Sequence, residues 1–590
     1  MPGTLLRQPN FTALVALIWL LVALALLLAH WERTAETLLD TDDAMRLVQM
    51  RAWLAGQGWF DLGQPRLQPP IGYDSHWSRL IDAGLAGLFL IFTPFTDALS
   101  AERLMRAWWP LLWLLPCIAG MVAIAWRIAG REAATVALLL ALVGVPAYQQ
   151  FTPGRIDHHN VQIALTLLAV AATVWSDRKR WCAIAAGAIS GVALAIGFES
   201  LPYLAACGAA FALRSIADRD AAPALRDYGL ALAAATCAAF LISVGPDRWT
   251  RSLCDAIALN GAAAAICGGL ILALSGFLAH RHALTRAASV AAAGCAAMAV
   301  LLLLEPRCIN GPFAMVDAAI WPAWHDHVRE LQPLASVLQV NPLTAVAIGA
   351  FPVAALVAAC ILLYQPNFRR DFGPLVTAAV FFCAAITMVA AIRAFSYATW
   401  LGMPLVAVLA VRLFAVFRLN TLVARFATSV MVTPMVLSAG AITVAYAAGL
   451  DDKDSFARPA MQPCFQNASY ADLARLPPGL VVADISFGPY LLALTPHSVM
   501  AAPYHRLSEG IRVAHGALAT PPDEARQILA RARANYLMVC GSRPPDGLAE
   551  SGRGGSLWGR LQAGAAPDWL ARVPVAGPFA VYRIAGSAAR

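Results

Sequence analysis

Long apolar runs separated by short polar breaks make up the chain as far as Leu450. A run of about 20 apolar residues is long enough to cross a bilayer as a helix. Runs that reach or approach this length lie near 12–30, 105–129, 133–150, 160–176, 182–198, 201–214, 228–245, 258–279, 287–304, 340–364, 373–391, 395–416 and 427–449. The pattern predicts a polytopic α-helical membrane protein of about thirteen spans. Residues 81–97 are apolar but short and carry Asp82, which predicts a helix lying in or dipping into the outer interface. Segment 31–104 then reads as a long external loop, with Trp53, Trp59 and Trp77 suited to the headgroup level.

The pattern changes after Asp451. Short β-like runs at 480–485, 498–502, 535–541 and 578–584 alternate with helical ones, among them an amphipathic stretch at 521–533. A membrane domain over 1–450 followed by a small soluble α/β domain over 451–590 is the expected organisation.

Charge orients this arrangement. With a cytoplasmic N-terminus, the inside loops hold Arg127 and Arg131; Arg178, Lys179 and Arg180; Arg214 and Arg219; Arg281 and Arg286; Arg369 and Arg370; and Arg412, Arg418 and Arg425. Basic residues cluster on one side, as the positive-inside rule requires, and an odd span count puts the soluble domain outside. The composition agrees: 59% of residues are hydrophobic and 13% charged, with a mean hydropathy of +0.64, where a soluble domain carries about twice that charge. The net charge of +8 resides in these loop clusters, which argues against a nucleic-acid partner. The first run lacks a small-residue cleavage site and reads as a retained span. The high Ala and Arg usage points to a bacterial inner membrane, with the functional face and the C-terminal domain periplasmic.

The twelve cysteines lack metal-ligand spacing. Cys254, Cys308, Cys464 and Cys540 fall in polar segments on the external side, where Cys254–Cys308 and Cys464–Cys540 are plausible disulfides, although sequence leaves the connectivity open.

Ionisable groups near a membrane face are candidates for function. Three acidic clusters lie on the external side: Asp42 and Asp43; Asp157, His158, His159 and Asn160; and Asp326, His327 and Glu330. An Asp-x-His pair presents two ligands in one turn, and distant carboxylates complete a set for Mg²⁺ or Mn²⁺. The plain alternative is solvated loop acids, with Asp157 to Asn160 capping the next span. Arg393 near a span end suits either phosphate binding or snorkelling. His325, His327, His505 and Arg506 read more simply as loop or surface residues.

The stretch GREAATVALLLALVGVPAYQQFTPGRIDHHN resembles the third span and second external loop of oligosaccharyltransferase catalytic subunits, whose archaeal members use a D-x-H form. VRELQP at 328–333 is similar to their S-V-S-E-H-Q-P motif, and IRAFSYATWLGMP at 392–404 to R-R-F-x-I-Y-A-V-P. DDAMRLVQMRAWLAGQGW at 42–59 resembles the first external loop of the lipid A aminoarabinose transferases. Both families share the GT-C fold. The resemblance implies a metal-dependent glycosyltransferase that moves a sugar or oligosaccharide from a polyprenyl phosphate or pyrophosphate to an external acceptor. It implies a catalytic Asp42, with Asp43 as fallback and Glu330 assisting. The implied metal ligands are Asp42, Asp157 and either His159 or Glu330, with Arg393 and His158 at the donor phosphate. One departure stands out. The sequon-reading W-W-D-Y-G motif is replaced by Ser486-Phe487-Gly488 within DISFGPYLLAL, which argues against an Asn-x-Ser/Thr acceptor. A transporter or flippase and a non-catalytic scaffold are the competing classes. The former predicts charged or broken mid-membrane helices and internal symmetry, and neither is evident.

Overall fold

Asn10 caps the first apolar run, its side chain accepting the Thr12 amide, and the chain continues as helix α1 (Phe11–Glu36). The computed structural model describes residues 10–452, 462–541, 548 and 553–586, and within these not the side chains of His327 and Arg329. Two shorter helices follow, α2 (Thr41–Leu54) and α3 (Arg79–Phe92), with a small hairpin of β1 (Gly63–Gln64) and β2 (Tyr73–Asp74) between them. Then come α4 (Ala98–Leu142), α5 (His159–Trp175), α6 (Trp181–Ile196), α7 (Leu201–Ala217), α8 (Ala222–Ser243), α9 (Leu259–Leu278) and α10 (Ala283–Leu304). After an external loop the helices are α11 (Leu334–Val340), α12 (Pro342–Tyr364), α13 (Pro366–Arg370), α14 (Phe372–Ala390), α15 (Phe395–Val416), α16 (Leu422–Met431) and α17 (Pro434–Ala447).

Among the described residues nine helices are long and apolar enough to cross a membrane, or ten if the pair α16 and α17, bent by 56°, is one span. The difference from thirteen runs has a local cause. Helices α5 and α6 are apolar but only 17 and 16 residues long. The runs at 105–129 and 133–150 merge into α4, which breaks at Ala129 and at Gly130, the latter with φ +72°. The second of those runs leaves the helix at Leu142, and 145–151 form a 3₁₀ turn.

The run at 81–97 forms a helix of only 14 residues. Ser78 caps α3 by accepting the Leu80 amide, and Leu90, Ile91 and Phe95 lie exposed at its far end. Asp82 turns inward instead of meeting solvent. It accepts from Arg46 at 2.9 Å and Arg79 at 3.1 Å, all three side chains being buried. Breaking such a buried pair by removing one partner costs about 3–5 kcal/mol, so α3 is riveted to α2.

The soluble domain holds a five-stranded mixed sheet in the order β4 (Ser498–Val499), β3 (Leu480–Val482), β5 (Tyr536–Cys540), β7 (Phe579–Ile584), β6 (Leu570–Val573). The pairs β3–β4 and β3–β5 are parallel, whereas β5–β7 and β6–β7 are antiparallel. Helices α18 (Gly488–Leu494), α19 (Ser508–Ala519), α20 (Pro522–Arg531) and α21 (Leu557–Gln562) complete it. Five wholly buried residues in β5 mark the sheet's centre, and α20 is the helix of the amphipathic stretch.

This domain shares one core with the segment between α1 and α4, which contributes Met45, Met50, Leu67, Tyr73 and Trp77. The backbone joins in: the Gln68 amide donates to Val499 O and the Val499 amide to Arg66 O, both at 2.8 Å, so the loop extends the β4 edge. Arg66 also donates to the carbonyls of Leu492, Thr495 and His497, satisfying the C-terminal end of α18. Tyr490 and Tyr504 donate to Leu38 O and Thr41 O, on either side of the start of α2. Disulfides join Cys254 to Cys308 and Cys464 to Cys540.

Candidate active site

Asp40 caps α2, and the next turn carries Asp42 and Asp43 with opposite fates. Asp43 is fully buried. Its Oδ1 accepts the amides of Ile156 (2.7 Å) and Asp157 (3.1 Å), and its Oδ2 accepts Arg155 Nη1 (3.0 Å). Burial, with the charges of Asp40 and Asp157, lifts its carboxyl to about 7 against the pull of Arg155. Asp43 therefore anchors the second external loop with both oxygens engaged. Gly154, with φ +105°, makes the turn that brings this loop down, its amide donating to Arg106 O at 2.9 Å. Asn160 ties back to Arg155 O instead of capping α5.

Asp42 is half-buried and has no basic ion-pair partner among the described residues; its one hydrogen bond is a long 3.5 Å contact from Thr41. Burial, then the charges of Asp157, Asp40 and Glu330, push its carboxyl well above the usual range. Such repulsion is what a bound cation removes.

Asp157 lies opposite. Burial raises its carboxyl, but His158, His159 and Arg155 outweigh that and hold it well below the usual range. His158 Nδ1 meets Asp157 Oδ1, and its Nε2 is 4.0 Å from Glu199 Oε1. His159 Nε2 is 3.0 Å from Asp157 Oδ2 and 3.9 Å from Glu330 Oε2. Its other nitrogen, Nδ1, meets Glu199 Oε2 at 2.9 Å. Arg393 donates to Glu199 Oε1 at 2.7 Å and reaches to 4.0 Å from Glu330 Oε1. The sequence-predicted Asp42, Asp157, His158, His159, Glu330 and Arg393 thus meet in one place. Of the described side chains in the third acidic cluster, Glu330 comes to it. Asp326 is exposed beside His325, and the His327 side chain lies outside the described residues.

These residues suit a hard divalent cation. The buried Asp157 Oδ2 has no hydrogen-bond partner, although His159 Nε2 is 3.0 Å away. That separation matches the edge of an octahedron with metal–ligand bonds of about 2.1 Å. Asp157, His158 and His159 bring ligand atoms within 4.8 Å of one another.

Glu199, Arg155 and Asp40 were not singled out from the sequence. Glu199 did carry a signal, being the one acidic residue between Trp181 and Ala217. His505 and Arg506, read as surface residues, are instead largely buried at the domain junction. His505 Nε2 donates to Asp255 Oδ2 (2.6 Å), and Arg506 to both Asp255 oxygens (2.7 Å each). His76 packs against His505 at a tilt of 55°, with ring centroids 4.6 Å apart. His76, Asp255 and His505 also lie within ligand distance of one another, but here the guanidinium already holds the carboxylate.

No protein-family profile and no curated protein matches the chain. Its fold is the GT-C fold of membrane glycosyltransferases, in a multi-pass helical protein with a small sheet-containing C-terminal domain. The particular likeness is to the oligosaccharyltransferase of Archaeoglobus fulgidus. The apo form superposes with a TM-score of 0.63 at 12% identity, covering 91% of this chain and 70% of that one. The complex with an inhibitory peptide and a dolichol-phosphate gives 0.61 at 13% identity, covering 90% and 69%. The complex with Zn and sulfate gives 0.52 at 13% identity, covering 84% and 63%.

Proposed function

We propose that the chain is a metal-dependent glycosyltransferase that takes a sugar or oligosaccharide from a polyprenyl phosphate or pyrophosphate and transfers it to an acceptor on the periplasmic face. One observation carries this reading: the unpaired Asp42 faces the buried Asp157–His159 pair, with Glu330 and Arg393 alongside, on a GT-C fold. The dolichol-phosphate bound by the Archaeoglobus enzyme supports a lipid-linked donor.

In this reading the acceptor nucleophile attacks the anomeric carbon, the bond to the phosphate oxygen breaks, and configuration inverts. Asp42 orients the nucleophile and takes its proton, assisted by Glu330. Arg393, with His158 beside it, balances the charge gathering on the departing phosphate. A Mg²⁺ or Mn²⁺ ion held by Asp42, Asp157, His159 and Glu330 would neutralise further leaving-group charge. Ser486 stands where the sequon-reading enzymes carry Asp, and its amide is turned to Asp484 at 2.9 Å. The acceptor is accordingly proposed to be something other than Asn-x-Ser/Thr.

The test is mass spectrometry of polyprenyl-linked lipids from cells lacking the gene, complemented with wild type or Asp42→Asn. One glycolipid should accumulate in the null and in the Asp42→Asn strain and disappear with wild type. An unchanged lipid profile, with full rescue by Asp42→Asn, would leave transport or scaffolding instead.

A further inference from the structure

Glu199 sits in the break between α6 and α7, where Gly197 lets the chain press against α5. A Cβ at 197 would fall 2.3 Å from Gln162 Nε2 and 3.7 Å from His158 Cδ2. The Glu199 side chain is 14% exposed, and its two oxygens are divided. Oε2 faces His159 Nδ1 at 2.9 Å, and Oε1 accepts Arg393 Nη1 at 2.7 Å. A carboxylate between apolar helices at a membrane face is costly to keep, and here neither oxygen is left for a substrate.

We infer that Glu199 is the positioning residue that couples the metal ligand His159 to the phosphate-facing Arg393. This rests on the metal-dependent reading above. A carboxylate on one ring nitrogen fixes the tautomer of a ligating histidine. With its Nδ1–H held by Glu199, His159 presents the Nε2 lone pair toward Asp157 Oδ2. The two atoms lie 3.0 Å apart, and that buried oxygen has no hydrogen-bond partner, so a shared cation would find both at one edge of its coordination shell. The other oxygen sets the guanidinium of Arg393 where it also approaches Glu330. One side chain thereby fixes the distance between the cation position and the phosphate position, although it touches neither reacting group.

The test uses the purified full-length protein, with Mn²⁺ alone as probe, followed by electron paramagnetic resonance of the free ion. Glu199→Gln should weaken Mn²⁺ binding by about 10–100-fold, the usual effect of removing such a partner. Glu199→Asp, which keeps the charge but is one methylene shorter, should also weaken it. Arg393→Lys should leave Mn²⁺ affinity intact while weakening undecaprenyl phosphate binding, and Glu199→Gln should weaken both. Wild-type Mn²⁺ affinity in folded Glu199→Gln or Glu199→Asp overturns the positioning role alone. No Mn²⁺ binding by the wild type overturns it together with the metal-dependent reading.

Discussion

Two adjacent carboxylates, Asp42 and Asp43, meet opposite surroundings within one helical turn. Among the described residues Asp43 has three hydrogen-bond partners and Asp42 only a long contact from Thr41. Asp42→Asn should therefore lower turnover by about 10²–10⁴-fold, the range for losing a positioned base. In metal-free buffer its thermal midpoint should rise, because the repulsion from Asp157, Asp40 and Glu330 is gone. Asp43→Ala should do the reverse to stability. It leaves the amides of Ile156 and Asp157 without their acceptor, while Arg155 keeps Asp40 and Gln150, a loss of about 1–3 kcal/mol for each buried unsatisfied group, visible in a thermal melt of the detergent-solubilised protein. A melt in which Asp42→Asn falls further than Asp43→Ala would contradict this division. Residue type alone could not make the distinction, since both residues follow the same N-cap; the resemblance preferred Asp42, and the tertiary position of the 155–157 loop explains why Asp43 is the one held. Asp157, His159 and Glu330 were grouped by the resemblance, because singly an Asp-x-His pair and an acidic turn at span ends also read as solvated loop residues. Glu199 escaped because one acid beside an apolar run reads as the run's end.

At the scale of elements, periodicity reported the helices well and their limits less well. Apolar runs marked where helices form, but Gly130 and the turn at 145–151 set the breaks, and those depend on packing that a hydropathy pattern does not contain. The stretch 81–97 shows the same division. It forms the 14-residue helix α3, and its Asp82 is locked between Arg79, three residues earlier, and the distant Arg46, the latter a partnership that no local pattern reveals. Arg66 is a further case. It lies in an external loop, where an arginine reads as solvated, but it caps α18 from more than 400 residues away. Arg66→Ala should destabilise this junction by about 2 kcal/mol, the order of one or two charge-assisted bonds. Faster limited proteolysis near 488–499 would report it, and a cleavage rate equal to wild type would refute it.

Across the whole molecule, Asp255 joins the loop between α8 and α9 to the soluble domain. Burial pushes its carboxyl up, but hydrogen bonds from His505 and Arg506 and the nearby positive charge more than reverse this and hold it well below its ordinary 3.8. A carboxyl depressed on folding stabilises the folded state fully above its unfolded value and ceases to do so as pH falls below it. The contribution of Asp255 to the junction should thus be constant from about pH 5 upward and weaken progressively below about 4. Asp255→Asn should remove this acid sensitivity and lower stability by about 3 kcal/mol at neutral pH, because Arg506 and His505 keep their burial without their counter-charge. Melts of both proteins between pH 3 and 7 would show the two curves converging in acid, and parallel curves would dismiss the idea.

The strand pairing at Val499 also has a consequence for how the protein is made. Residues 66–68 are made early in synthesis, yet their partner edge is more than 400 residues away, beyond the long apolar helices. Until that edge has been made, Leu67, Met45 and Tyr73 lack the apolar surface that the sheet-containing domain supplies. The face built on α2 and the β1–β2 hairpin is therefore completed only when residues 480–502 have arrived. A ribosome that stops early leaves a bundle already inserted in the bilayer, with an open, sticky loop for the cell's surveillance proteases to find.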